Sequence, residues 1–112
     1  MNSKDPVREQ VVFLLQQGNA HIPFGEAIAD FPPSLRGVRP KGASHSGWEL
    51  LEHMRIAQWD IVEFCQSAKH VSPEWPSGYW PARPEPPAKD AWKQSIAAFR
   101  KDLLKMVKLV AN

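Results

Sequence analysis

Apolar residues recur at intervals of four and three in three separate stretches of the chain. In "DPVREQVVFLLQQGN" the stripe is Val7, Val11 and Leu14. Asp5 suits an N-cap and Pro6 the first helical position. Gly18 or Asn19 supplies a left-handed stop. These signals predict a helix near 5–17. A shorter piece, "HIPFGEAIADF", predicts a helical turn or two near 24–30, opened by Pro23 and ended by Pro32-Pro33. Residues 32–45 form a loop by composition. The second long stripe is Leu50, Met54, Ala57, Ile61 and Phe64. Its spacing predicts a helix over 46–66 with an a/d seam facing a core. Ser46 and Glu49 match a capping box at its start. The third stripe, Trp92, Ile96, Phe99, Leu103, Met106 and Val110, predicts a helix over 89–110. No alternating run of strand length occurs. The pattern predicts one all-α domain over 1–112, an antiparallel up-down bundle of three long helices.

Six of the eleven prolines fall between residues 67 and 89. Proline fixes φ and removes a donor, so this stretch is a loop. Trp75, Tyr79 and Trp80 are too apolar for a free linker, and we expect them to fold back over Trp48 or Trp59. Those two indoles project roughly opposite the Leu50–Ile61 seam at about 100° per residue, near Glu52, Arg55 and Val62. Each buries on the order of 150–250 Å² and needs cover. The third helix carries Leu104, Val107 and Leu109 beside its main seam. An apolar band this broad calls for a fourth helix or a second chain.

Composition narrows the function. A net charge of +2 is too small to argue for nucleic acid. Lys93, Arg100, Lys101, Lys105 and Lys108 read as a solvated helix face. The single cysteine, Cys65, excludes an internal disulfide and a cysteine-rich zinc site, and reads as a small core residue. No apolar run approaches the roughly 20 residues of a membrane span. "MNSKDPVREQ" lacks the apolar core of a signal peptide. A cytoplasmic protein without a membrane segment is expected.

The candidate chemistry lies with the histidines. His53 sits about 60° from the centre of the second seam, with Glu49 one turn back and Asp60 two turns on. It could be a metal ligand held by a carboxylate, a general base, or a core histidine with one hydrogen bond. His45 precedes the cap and could ligate or cap. His21 and His70 fall in loops, where solvation is expected. No HxxxH or HExxH pair occurs, no serine sits in a GxSxG turn, and no glycine-rich phosphate loop is present.

"HSGWELLEHMRIAQWDIVEFC", followed by "WPSGYWP" and a later amphipathic helix, resembles the DinB-like superfamily of bacterial four-helix-bundle proteins. The likeness runs over essentially the whole chain and is strongest at residues 48–53, W-E-L-L-E-H. It implies that His53 is the first of three histidine ligands to a divalent metal such as zinc, nickel or iron. The other two would come from a histidine pair, four apart, on a last helix. It further implies thiol-transferase or isomerase chemistry on a small-molecule thiol or other small substrate, and homodimers. No histidine follows His70. One histidine cannot hold a site needing about three protein ligands. The resemblance therefore predicts a C-terminally truncated or degenerate member, with metal absent or weakly held. A non-enzymatic, dimerising helical module is the competing expectation.

Overall fold

A computed structural model describes residues 5–17 and 22–112. Among the described residues four helices follow one another: α1 (Pro6–Gln17), α2 (Phe24–Ile28), α3 (Gly47–Gln66) and α4 (Ala91–Ala111). Short 3-10 turns occur at Pro33–Leu35 and Ser77–Tyr79. Among the described residues there is no strand, so the fold class is all-α. Gly18, Asn19 and His21 lie outside the described residues. The chain divides into two compact units, one of Met1–Phe31 with Leu103–Asn112, the other of Pro32–Asp102.

In the first unit, Asp5 caps α1 as its position predicts. Its Oδ1 accepts from the backbone N–H of Val7 at 3.0 Å and of Arg8 at 3.3 Å. Arg8 Nη1 donates to the carbonyl of Val110 at 2.6 Å, satisfying an orphan acceptor at the end of α4. The side of α1 that is covered is not the one expected. Val12 is buried, whereas Val7, Val11 and Leu14 are exposed, as is Phe13. Leu104 and Leu109 are likewise exposed. Asp30 takes a φ of 56° just after α2, a left-handed conformation that aspartate tolerates.

In the second unit, the capping box of α3 forms as read. The N–H of Glu49 donates to Ser46 Oγ at 3.1 Å, and the N–H of Ser46 donates to Glu49 Oε1 at 2.9 Å. The Ser46 hydroxyl also donates to the carbonyl of Pro84. Gly37 lies so close to Glu85 that a Cβ there would meet the Glu85 Cβ at 2.7 Å. Only glycine allows this approach, which brings the proline-rich segment against the loop preceding α3.

The pairing of α3 with the first half of α4 corrects the antiparallel expectation. Arg36 joins the two starts: its carbonyl accepts from the N–H of Trp48 at 2.8 Å and its guanidinium lies over the Trp92 ring. Further along, Ser95 Oγ donates to Glu52 at 2.6 Å, and Gln58 Nε2 donates to the carbonyl of Phe99 at 2.7 Å. Contacts ascend both helices together, so the two run in the same direction. Short loops make antiparallel neighbours, while a long crossover allows a parallel one. A 20-residue helix is about 30 Å long, and the 67–90 segment spans that length comfortably at roughly 3.3 Å per residue.

Candidate functional site

Helix α3 has three differently treated sides. One carries Trp48, Leu51 and Val62, all buried, with the partly buried Glu52 and Arg55 among them. This side meets α4. The second carries Glu49, His53 and Asp60 and meets the preceding loop and the proline-rich segment. The third is the predicted seam, and it is open. Leu50, Met54, Ile61 and Phe64 are 48%, 41%, 55% and 71% exposed. Cys65, at the end of this helix, is exposed too and is not a core residue. The expectation that the seam faces the core of this chain is therefore overturned. Periodicity identified residues that share a side. Polar partners from α4 and the loop determined which sides are covered.

His53 is half-buried, and its Nδ1 lies 2.8 Å from the carbonyl oxygen of Tyr79. A carbonyl only accepts, so Nδ1 carries the proton and donates it. In the neutral ring this leaves Nε2 with its lone pair. Neither flanking carboxylate holds His53; of the three expectations, the structure matches a half-buried histidine satisfied by one hydrogen bond. A backbone carbonyl fixes the tautomer instead. Trp80 stacks on this imidazole with centroids 3.9 Å apart and planes 8° from parallel. His45 stacks on Trp80 as well, at 4.0 Å and 11°. Two rings so near one indole centre would overlap if they shared a face. They must lie on opposite faces, and the indole separates His45 from His53.

Asp60 is the polar hub of the same side. Oδ1 accepts from His70 Nε2 at 2.7 Å and Ser72 Oγ at 2.6 Å, and Oδ2 accepts from the Tyr79 hydroxyl at 2.6 Å. The Ser72 and Tyr79 bonds lower the Asp60 carboxyl from its ordinary range, partial burial opposes them, and His70 assists. The same bond raises the Tyr79 hydroxyl. His70 also sets its ring edge against Trp59, with centroids 5.2 Å apart. His70 is thus bound, not solvated. The aromatic clamp forms in altered form: Trp80, half-buried, covers His53 and His45, and Tyr79 is buried with its hydroxyl on Asp60, while Trp75 remains 75% exposed.

Two further carboxylates are fixed by arginines. Arg39 grips Glu49 through Nε and Nη2, both at 2.9 Å. That bond, helped by the Ser46 N–H against a desolvation penalty, lowers the Glu49 carboxyl to about 2. On the side facing α4, Arg55 grips Glu52 at 2.6 and 3.0 Å, and Ser95 adds a third bond. Burial pushes Glu52 upward, but the Arg55 and Ser95 bonds outweigh it and the net shift is downward. Sequence reading placed Glu52 and Arg55 beside Trp48. It gave no sign of Ser95, whose partner lies 43 positions away.

Among the described residues no three His, Cys, Asp or Glu side chains converge so as to hold an ion. His53 offers one nitrogen, His45 lies across the indole, and Asp60 is engaged by three donors. Among the described residues no helix is long and apolar enough to cross a membrane. No protein-family model, curated protein or solved structure matches the chain.

Proposed function

We propose that this chain is a DinB-like helical module that works by helix association, with the seam of α3 receiving the apolar face of a second copy. The observation that carries this reading is the exposure of Leu50, Met54, Ile61 and Phe64 along one side of a 20-residue helix. Apolar stripes of this kind are covered in working proteins, because leaving them in water forgoes about 25 cal/mol per Å². His53 stands at the edge of that seam, so a metal-binding version of this reading needs further ligands for its Nε2 from the second copy. Thiol-transferase or isomerase chemistry on a small thiol, with zinc, nickel or iron, rests on the sequence resemblance alone. A non-enzymatic dimerising module in the cytoplasm accounts equally for the open seam.

Sedimentation equilibrium tests association directly. A dimer should form reversibly with protein concentration, and Ile61→Lys with Phe64→Lys should return it to monomer while helical circular dichroism stays unchanged. A monomer at all concentrations would overturn the reading. Adding Co²⁺ separates the two versions. The metal-linked version expects a d–d spectrum that His53→Gln abolishes; the non-enzymatic version expects dimerisation indifferent to both metal and His53→Gln.

A further inference from the structure

The side of α3 facing α4 holds an open cleft of about 310 Å³, lined by Trp48, Glu52, Arg55, Ser95 and Ala98, among others. It lies on a different side of α3 from His53 and belongs entirely to the Pro32–Asp102 unit. Its volume falls at the small end of ligand-binding sites. The walls divide by chemistry. Trp48, Ala91, Ala98 and Pro87 are apolar, whereas Glu52, Arg55, Ser95 and Gln94 are polar.

The polar groups are not balanced between donors and acceptors. A guanidinium has five N–H donors in a planar fork. Glu52 occupies the edge formed by Arg55 Nε and Nη2. Among the described residues no group accepts from Nη1, so the second edge, formed by Nη1 and the other Nη2 hydrogen, is free. Asp102 is near enough to act on Arg55 through its charge but makes no hydrogen bond to it. The Glu52 oxygens already receive three donors. The charges of Glu52 and Arg55 cancel and Asp102 adds a negative charge nearby, so a ligand is held by hydrogen bonds to the fork rather than by net charge. The cleft therefore has a fixed, unused pair of donors and few unused acceptors. A ligand must bring the acceptors.

We propose that this cleft binds a small planar carboxylate, its two oxygens on the free edge of Arg55 and its apolar body against Trp48 and Ala98. Two parallel N–H···O bonds to a carboxylate are the geometry that guanidinium favours. Glu52 and Ser95 act as positioning groups, because they set the plane of the fork. Phosphate fits less well: a single neutralised arginine offers it too little charge, and the apolar walls offer it nothing.

Benzoate serves as the probe, with benzamide and benzylammonium as neutral and cationic counterparts. Each is titrated into the full chain at pH 7, following backbone and indole N–H resonances. Benzoate should shift Trp48 and α3–α4 residues saturably, with a Kd on the order of a millimolar. Benzamide should bind about tenfold more weakly for want of the charge-assisted pair, and benzylammonium not at all. Arg55→Lys keeps a cation beside Glu52 but removes the fork, and should weaken benzoate about tenfold. Ala98→Leu fills the cleft without touching the ion pair and should abolish binding. Equal binding of benzamide, preference for benzylammonium, unsaturable shifts, or shifts confined to the lysines of α4 would each overturn the proposal.

Discussion

The two apolar sides of α3 look alike on paper and differ in the molecule. Leu50, Met54, Ile61 and Phe64 repeat at ideal spacing and are exposed; Trp48, Leu51 and Val62 repeat less regularly and are buried. The difference lies in their neighbours. Beside the buried set stand Glu52, Arg55 and Gln58, whose hydrogen bonds to one another and to α4 satisfy the polar atoms that burial would otherwise strand. Among the described residues the exposed set has no such flank. Regular spacing measures how well a side could pack. It does not say whether a partner is present.

The sharpest contrast is between two residues of the same helix on differently covered sides. Leu51→Ala should cost about 2–5 kcal/mol by cavity formation, whereas Ile61→Ala in the monomer should stay within about 0.5 kcal/mol. Urea denaturation at low protein concentration measures both. Equal losses would mean that the seam is covered after all.

Acid should weaken the sides of α3 that meet their partners and leave the seam untouched. Glu49, Glu52 and Asp60 are all lowered in the folded state. Each therefore adds stability above its ordinary pKa and loses it as pH falls through the folded value. Glu49 defines the window, from 4.5 down to about 2. Melting temperature should drop across that range, and Glu49→Gln should flatten part of the drop. A profile indifferent to Glu49→Gln would remove Arg39–Glu49 from the account.

A smaller effect isolates the loop side. Tyr79→Phe deletes one of three donors to Asp60 and should cost about 1 kcal/mol in chemical denaturation. Faster amide exchange should be confined to the 70–80 segment. Smallest of all, Cys65→Ser should change stability by no more than about 0.5 kcal/mol, and the wild-type thiol should react with Ellman's reagent in the folded protein without denaturant. A protected Cys65 would place cover over that end of the seam.

Helix positions were legible because their signals are local. Asp5 with Pro6 and Ser46 with Glu49 act within a few residues of the turns they start. Cover was not legible, since Ser95, Tyr79 and Arg39 reach α3 from elsewhere in the chain. The direction of α4 had a readable sign in the length of the proline-rich segment, which permits a parallel return. His70 had none: nothing near it in sequence reveals that its partner is Asp60. For the site, His53 was singled out correctly as a half-buried histidine at a seam edge, but its partner is a carbonyl, and no spacing rule identifies a carbonyl.

The packing of Trp80 between two imidazoles has a consequence for observing this molecule. An aromatic ring circulates its electrons in a magnetic field and shields nuclei held above and below its plane. The carbon-bound ring protons of His45 and His53 over the Trp80 indole should therefore resonate well upfield of ordinary histidine positions. Both should return together when Trp80→Leu removes the current. Each histidine can then be followed separately through titration with acid or metal, with the tryptophan acting as a built-in shift reagent.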